Sequence, residues 1–386
     1  MYSVGDYGEM IADKVRMDPY VYALKAKIGP NSVVLDIGTG TGIHALLACK
    51  FGARKVYAIE PNEAIHLARE LAQENGFADR IEFIQGVSTR VTLPERADVI
   101  VSDLRGVVPP YGRHIPSIID ARQRHLAPGG TLIPKRDTVW ASLVEARGVY
   151  NGLVGPWDYP YGLAMEKAKQ IVLNDWSEEN TDTFRKSNLL MEPRIWTELD
   201  YMSIEKPDVG PSELTQKSTR DGTAHGILLW FDAEIAEGIN IFNGPGAEEV
   251  AEVYGCGFFP LLKPVAIDKG DMITLDINAD LIGVEYTWRW HTRIHSGDDP
   301  QAIKANFKQS TTDSPFNIRS ITERASDLQP SLGEEGEIDL FILGMMDGRT
   351  TLDKIAQQVQ KRFPARFKAP QEALLYVYDV SQQYSR

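Results

Sequence analysis

Three closely spaced glycines and one later glutamate are the residues of this chain best suited to binding a ligand. The run VVLDIGTGTG, residues 33–42, joins an apolar stretch typical of a buried strand to a glycine-rich turn that opens a helix. Glycines at 38, 40 and 42 let the backbone approach a ligand where a Cβ atom would collide. Glu60 ends the stretch KVYAIE, 22 residues after Gly38. Its carboxylate can accept two hydrogen bonds from a ribose diol there.

The spacing of the glycines discriminates between two cofactors that contain a nucleoside. A nicotinamide dinucleotide needs a third glycine where Ile43 stands, and its pyrophosphate needs an open helix N-terminus. S-adenosylmethionine (SAM) has no phosphate, but the amino and carboxylate groups of its methionine part need an acid near the turn and a cation nearby. Asp36, before the glycines, and Arg16, on a preceding helix, have those types. We therefore predict SAM, against the alternative of a glycine turn beside a solvated glutamate.

The elements that position these residues have the pattern of an α/β fold, a doubly wound parallel sheet with crossover helices. The predicted strands are Val33–Ile37, Lys55–Glu60, Ile81–Gln85, Ala97–Ser102 and Gly130–Ile133. The predicted helices are Ile43–Phe51, Asn62–Asn75 and Arg113–Leu126. Ahead of them, residues 7–25 predict one or two helices over the ligand edge of the sheet.

Beyond Asp137 the pattern changes. Short alternating runs such as GILLWFDAEI and EYTWRWHTRI predict an antiparallel β region, a barrel or a sandwich. Turn formers and acids in Ser326–Gly336 predict a linker, and helices follow it, with Thr350 or Thr351 as an N-cap. We expect a nucleotide-binding domain at 1–137, a β-barrel-like domain at 138–325 and a small helical domain at 335–386.

Composition limits the compartment and the partners. A net charge of -13 disfavours nucleic acid. Cys49 and Cys256 lack the spacing of a disulfide framework or a metal site, so we expect reduced thiols and no metal. The sequence contains neither a membrane-spanning apolar run nor a signal-peptide pattern. We predict a cytoplasmic protein that does not bind a membrane.

A family resemblance rests on residues 7–145. The strings EMIADKVR, VVLDIGTGTGI, ARKVYAIE, ADVIVSD and LAPGGTLIPKRDTVW resemble the catalytic core of the protein arginine methyltransferases, class I SAM-dependent enzymes. The resemblance implies that Arg16 holds the SAM carboxylate, that Glu60 binds the ribose, and that Ser88 and Thr89 lie beside the adenine. Thr89 replaces a carboxylate of the family. The predicted cofactor residues are Tyr7, Met10, Arg16, Asp36, Gly38, Gly40, Gly42, Ile43, Glu60, Pro61, Ser88 and Thr89.

The acceptor side departs from the family. Arginine methyltransferases grip the acceptor guanidinium with two glutamates, whereas the loop SDLRGVVPPYGRH has Asp103 and Gly112 at those positions. Arg105 and Arg113 add positive charge, and the family's Thr-His-Trp loop is apparently replaced by residues 286–288. Because an unpaired buried charge costs several kcal/mol, we predict a neutral or anionic acceptor, such as a hydroxyl, carboxylate or amine, on a small molecule or a peptide.

Candidate catalytic residues follow from that loop and its surroundings. Asp103 is the first choice for an acceptor-facing base, His114 and His291 are weaker candidates, and Tyr111 is a candidate to line the pocket.

The end of the chain has its own resemblance. IDLFILGMMDGRTTLDKIAQQVQKRF and EALLYVYDVSQQY resemble small PqqD-like winged-helix domains that bind leader peptides. The alternative is a helical appendage that packs on the rest of the chain or on a second subunit.

Two other functions stay open. One is a genuine arginine methyltransferase whose second carboxylate comes from elsewhere, such as Glu145 or Glu285. The other is a SAM-binding scaffold protein without activity. The family also implies a homodimer.

Overall fold

The computed structural model describes residues 2–312 and 331–384, which fall into two compact units, Met1–Pro315 and Phe316–Arg386. The first unit contains a parallel sheet, two N-terminal helices and two antiparallel sheets. The second contains helices.

A five-stranded parallel sheet forms the first half of unit one. Its order is β3-β2-β1-β4-β5. Successive strands are added on one side of β1 up to β3 and on the other side from β4, so the strand order switches between β1 and β4. Ligands bind at such switch points, beyond the carboxyl ends of the strands. The strands are β1 (Val33–Ile37), β2 (Lys55–Glu60), β3 (Ile81–Gln85), β4 (Ala97–Ser102) and β5 (Leu126–Ile133).

Helices on the sheet connect its strands. The connecting helices are α3 (Ile43–Lys50), α4 (Ala64–Glu74) and α5 (His114–His125). The predicted α/β fold is confirmed, with the first four strands at the predicted residues. The fifth strand begins at Leu126 rather than Gly130, in a stretch whose glycines and proline hide the strand pattern.

Two N-terminal helices precede the sheet. In α1 (Val4–Ala12), Ser3 forms a capping box with Asp6, while α2 (Lys14–Lys27) begins where the Asp13 side chain accepts a hydrogen bond from the backbone of Arg16. Helix α2 buries one face, including Tyr20, whereas α1 buries none of its residues. As predicted, α1 lies at the ligand edge of the sheet, since it contributes residues to the cavity there.

Two antiparallel sheets follow. The larger has the order β7-β12-β10-β6-β8, with β11 beside β10. Its strands are β6 (Arg136–Val144), β7 (Ser177–Glu179), β8 (Arg194–Asp200), β10 (Gly222–Ala236), β11 (Ile239–Ile241) and β12 (Cys256–Ile267). The smaller has the order β15-β14-β13-β9, formed by β9 (Val209–Lys217), β13 (Met272–Ile282), β14 (Glu285–His295) and β15 (Ile303–Ser310).

Aromatic side chains join the two sheets. Phe259 of the larger sheet lies 5.2 Å from Trp288 and 5.3 Å from Trp290 of the smaller one, measured between ring centroids. This packing confirms a separate antiparallel region. The boundary between parallel and antiparallel strands falls between Ile133 and Arg136, and the division into domains 1–137 and 138–325 stays a prediction.

A helical excursion leaves the larger sheet. Helices α6 (Arg147–Val154) and α7 (Glu166–Leu173) flank residues 155–165, which we call the arm. The arm exposes several large apolar side chains, which are Trp157, Tyr159, Tyr161 and Leu163.

The second unit contains three helices among residues 331–384: α8 (Glu334–Met345), α9 (Leu352–Arg362) and α10 (Pro370–Tyr384). Thr351 caps α9, and Ile338, Ile355 and Val377 belong to the core. The predicted linker lies partly outside the described residues, and its last residues, Glu334–Gly336, begin α8. Across the described ranges, none of the helices has the length and apolar character needed to cross a membrane.

Candidate active site

A cavity of about 330 Å³ lies beyond the carboxyl ends of β1 to β4 and is bounded by α1 and α2. Most of the predicted cofactor residues line it, namely Tyr7, Met10, Arg16, Gly38, Gly40, Ile43, Glu60, Pro61 and Ser88. Asp103 also lines it, with Leu104 and Arg113 from the loop after β4.

The glycine turn is closely approached by side chains of the chain itself, and its approach to a ligand stays a prediction. Gly38 and Gly40 have φ angles of +73° and +54°. A Cβ atom at Gly38 would lie 2.5 Å from a methyl carbon of Leu104, and one at Gly40 would lie 2.5 Å from the Tyr7 ring. Both positions therefore require glycine for backbone conformation and for space.

Three predicted cofactor residues lie behind or beside the cavity. Asp36 is fully buried, and its Oδ2 accepts hydrogen bonds from the Thr39 hydroxyl at 2.5 Å and the Ala45 backbone at 3.1 Å. It therefore braces the turn, and burial raises its pKa to about 7. Gly42 caps α3 against Ala68, and Thr89 follows Ser88 in a short turn but does not itself line the cavity.

Glu60 is fixed at the cavity wall by its neighbours. Its Oε2 accepts from the Gly40 backbone at 3.0 Å, and its Oε1 accepts from the backbone and side chain of Asn62 at 3.0 and 2.9 Å. A carboxylate has about four acceptor positions, so it retains capacity for hydroxyl donors.

Asp103 is surrounded by donors. Its Oδ2 accepts from Arg16 Nε at 2.7 Å and from the Tyr254 hydroxyl at 2.7 Å. Its Oδ1 accepts from Arg105 Nε at 3.2 Å and Nη2 at 3.1 Å. Burial alone would raise the pKa of Asp103, but the charges of Arg16 and Arg105 and the Tyr254 hydrogen bond hold that pKa well below its usual range. Such a carboxylate is a poor proton acceptor, which argues against the predicted role as a base.

Arg105 lies at the centre of this cluster and is completely buried. Its Nη1 donates to Asp137 Oδ1 at 2.9 Å, and its Nη2 donates to the hydroxyls of Tyr20 at 2.7 Å and Tyr254 at 2.6 Å. Its guanidinium carbon lies 5.1 Å from the centre of the Phe231 ring. We call Arg16, Asp103, Arg105, Asp137, Tyr20 and Tyr254 the charge cluster.

The structure places His114 away from the cavity, beside the charge cluster. Its Nε2 lies 2.8 Å from the Tyr201 hydroxyl, which donates to Asp137 Oδ2 at 2.5 Å. Burial, with the charge of Arg105, lowers the pKa of His114 to about 3. His114 is thus a buried neutral group that supports Asp137, which does not fit a catalytic role.

His291 and Tyr111 also lie outside the cavity lining. His291 belongs to β14, where its Nε2 is 2.7 Å from Asn306 Oδ1, so a role as a base does not fit its position. Tyr111 is 41% exposed and packs over Gly106.

Residues 286–288 do not form the loop that the sequence suggested. They belong to β14, where Tyr286 donates to the Pro207 carbonyl and Trp288 joins the aromatic core. The aromatic residue that contacts Asp103 is instead Tyr254, just before β12.

Sequence reasoning missed Tyr254, Asp137 and His44. Asp137 is the second residue of β6 and follows basic residues in PKRDTVW, a weak sign of an ion pair. His44 lies two residues after Gly42, in the first turn of α3, where each residue is a candidate ligand contact.

With this geometry described, comparison with known proteins identifies the family. Residues 20–134 match the family described as ribosomal protein L11 methyltransferase (PrmA), and residues 135–281 match the arginine methyltransferase oligomerization subdomain. The chain is 32% identical over 238 residues to protein arginine N-methyltransferase 1 of Schizosaccharomyces pombe, covering 60% of this chain and 68% of that protein. The chain belongs to the protein arginine methyltransferase family.

Further matches agree with this membership. A probable protein arginine N-methyltransferase 6 of Arabidopsis thaliana is 28% identical over 63% of the chain, which spans 56% of that protein's length. Arabidopsis thaliana protein arginine methyltransferase 10 shares the fold, with a TM-score of 0.68 and 23% identity over 80% of this chain and 97% of that one.

A complex of Trypanosoma brucei PRMT1 enzyme and prozyme, a heterotetramer with AdoHcy, gives a TM-score of 0.70 and 20% identity over 80% of this chain and 98% of that one. Because the chain belongs to the arginine methyltransferase family, it is a SAM-dependent methyltransferase.

Removing one carboxylate from the charge cluster should destabilise the first unit. In Asp137→Asn, the Arg105 guanidinium loses one of its two buried counter-charges, so we expect a loss of about 3–5 kcal/mol. Urea unfolding followed by tryptophan fluorescence measures it, because all tryptophans lie before residue 291. Asp298→Asn, at an exposed ion pair with Lys217, is the matched control and should change little. Equal stability of both variants would contradict this account.

Proposed function

We propose that the cavity residues bind SAM through its two polar ends. Arg16 Nη2 makes no hydrogen bond with any residue in the described part of the chain, so it is available for the carboxylate of the methionine part. Glu60 has remaining acceptor positions for the ribose hydroxyls. Val87 and Ser88 bound the cavity beyond Glu60, where the adenine fits. SAM supplies a methyl group on a sulfonium, and the chain's residues orient it toward an acceptor.

We further propose that the acceptor is a neutral or anionic nucleophile and not an arginine guanidinium. The observation that carries this proposal is that both oxygens of Asp103 are already bound by the chain's own guanidinium groups, from Arg16 and Arg105. A guanidinium acceptor needs free, opposed carboxylates in forked geometry. Gly112 offers no side chain at the other family position, and Arg113 adds a cation to the cavity lining.

The charges favour an acceptor that has already lost its proton. SAM has a net charge of about +1, since its sulfonium and ammonium outweigh its carboxylate. Arg16 is paired with Asp103, and Arg113 forms no ion pair with any residue in the ranges the structure describes. A guanidinium would add a further positive charge, whereas a carboxylate would reduce the excess. A deprotonated acceptor also needs no base, and methyl transfer then depends mainly on in-line placement.

A genuine arginine methyltransferase is the second candidate, because the curated relatives bear that name. The carboxylates suggested by the sequence do not support it: Glu145 is bound to Arg220 and the Thr223 backbone, and Glu285 is exposed on β14. Tyr2 lines the cavity, and its pKa is raised by burial and then by nearby charges, which include Glu178. Glu178 is therefore the better candidate for a second carboxylate. Glu178→Gln would lower guanidino methylation if Glu178 supplied the second carboxylate.

An acceptor survey with labelled SAM tests the proposal. We expect methylation of hydroxyl, carboxylate or amine acceptors. The kcat/KM for arginine peptides should be lower than that for these acceptors by about 100-fold or more, since an unpaired buried charge costs about 3 kcal/mol. The fission yeast relative, assayed in parallel, is the control. Efficient guanidino methylation by this chain would overturn the proposal.

A homodimer formed through the arm is a further proposal. The matched oligomerization subdomain contains the arm, and Tyr159 and Tyr161 are 74% and 102% exposed there. Apolar side chains at that exposure commonly belong to interfaces.

Replacing the two arm tyrosines should separate the subunits. We expect Tyr159→Ser with Tyr161→Ser to shift a dimer to a monomer in sedimentation velocity, because the variant loses two aromatic contacts. Tyr22→Ser, at an exposed tyrosine of α2, should leave the dimer intact. An unmodified chain that sediments as a monomer at micromolar concentration would exclude the homodimer.

The three C-terminal helices form a candidate docking unit for a peptide, such as the leader segment of a peptide substrate. Exposed apolar pairs support this proposal: Leu340 and Leu343 lie one turn apart on α8, and Leu375 and Tyr378 lie one turn apart on α10. The cytoplasmic location and the PqqD-like assignment stay predictions.

Selection of a random-peptide display library on the full chain tests docking. We expect enriched peptides with the unmodified chain and their loss with Leu375→Asp, because a charge on the exposed face opposes apolar contact. Gln371→Asp in the same helix is the control. Enrichment that survives Leu375→Asp and Leu340→Asp, or no enrichment at all, would refute the docking role.

A further inference from the structure

His44 is a buried polar side chain on the wall of the cofactor cavity. It lies in the first turn of α3, directly after Ile43, and is 5% exposed. Its Nε2 has no hydrogen-bond partner, and its Nδ1 lies 4.0 Å from the nearest carboxylate oxygen, Asp36 Oδ1. Within residues 2–312 and 331–384, neither ring nitrogen is therefore hydrogen-bonded. Nε2 is sealed from solvent, so the nitrogen that a ligand in the cavity can reach is Nδ1, whose unmet hydrogen-bonding capacity indicates a partner from outside the chain.

The imidazole is held by an aromatic neighbour. The Tyr20 ring stacks on it at 4.9 Å with an interplanar angle of 26°. The Tyr20 hydroxyl in turn accepts from Arg105 at 2.7 Å. The charge cluster therefore positions His44 as well as Asp103.

His44 is uncharged at working pH. Burial, with the positive charge of Arg16, lowers its pKa to about 3. A group with that pKa is a weak proton acceptor in catalysis but still offers a nitrogen lone pair to a hydrogen-bond donor.

The chemistry of the cofactor supplies such a donor. Its α-ammonium is attached to the same carbon as the α-carboxylate, so an ammonium group lies beside any residue that binds the carboxylate. Arg16 has a free Nη2 for the carboxylate, and its charge acts on His44 more strongly than any other charge does. Asp103, the carboxylate nearest to Arg16, already accepts from Arg16, Arg105 and Tyr254.

We propose that His44 binds the α-ammonium group of SAM by accepting a hydrogen bond on Nδ1 of its imidazole. The interaction joins a neutral acceptor to a charged donor, which is a strong class of hydrogen bond. It makes His44 a specificity-determining residue for the amino-acid end of the cofactor.

Calorimetry with three ligands tests this role without any methyl acceptor. The ligands are S-adenosylhomocysteine, its analogue lacking the α-amino group and its analogue lacking the α-carboxyl group. His44→Phe keeps a stacked ring but removes both nitrogens. We expect this variant to bind S-adenosylhomocysteine and the analogue lacking the α-carboxyl group about 10-fold or more weakly. Its affinity for the analogue lacking the α-amino group should be unchanged.

Two further variants control the comparison. His66→Phe makes the same change at an exposed histidine of α4 and should leave all three affinities unchanged. His44→Gln restores an acceptor and should recover most of the discrimination between the ligands. His44→Leu provides the same test with a smaller side chain, and thermal unfolding of each variant reports whether it folds.

Two results would overturn the proposal. One is an equal loss for all three ligands in His44→Phe and His44→Leu, which would make the imidazole a packing group. The other is a loss confined to the ligands that keep the carboxylate, which would show that the ring N–H binds the carboxylate instead.

Discussion

The buried guanidinium of Arg105 is the interaction on which the rest of the site depends. A charge removed from water must be matched by nearby countercharge and hydrogen bonds, or the fold loses several kcal/mol. Asp103 and Asp137 supply that charge, and the hydroxyls of Tyr20 and Tyr254 supply acceptors. Through these partners one side chain connects the loop after β4 to α2, to the start of β6 and to the segment before β12. The parallel and antiparallel sheets are thereby tied together at the edge where ligands bind.

This arrangement has unequal consequences for the two halves of the active site. The cofactor half depends on backbone conformation at Gly38 and Gly40 and on a carboxylate, Glu60, which is held by its own neighbours. None of these contacts involves Arg105. The acceptor half of the family depends on free carboxylate charge, and Arg105 and Arg16 consume the charge of Asp103. Under the proposed function, the chain keeps the family's methyl donor while its acceptor differs, because the two requirements rest on different residues.

The same division explains what the sequence could predict. Strands β1 to β4, the glycine turn and Glu60 are local patterns in which each residue's role depends on near neighbours, and they were located correctly. The charge cluster joins residues far apart in the chain, such as Tyr254 with Asp103 and Arg105, and beside it His114 contacts Tyr201, 87 residues away. Residue type and position in the acceptor loop gave Asp103 and His114 as bases, whereas their chemistry is set by partners that periodicity does not reveal. The alternating pattern placed His291 and residues 286–288 in a strand, as observed, but the family loop motif assigned to residues 286–288 does not fit that strand.

The cluster also bears on how the cavity is closed. Helix α1 buries none of its residues, so apolar packing alone does not explain its position, yet it contributes Tyr7 and Met10 to the cavity wall. A link is Arg16, whose Nη1 donates to the Met10 carbonyl at 2.9 Å while its Nε is bound to Asp103. Arg16 thus satisfies a carbonyl near the end of α1, while its Nη2 bonds to neither Met10 nor Asp103. Because Arg105 fixes Asp103, and Asp103 fixes Arg16, the same buried charge that pairs with Asp103 also helps to hold the helix that encloses the cofactor half.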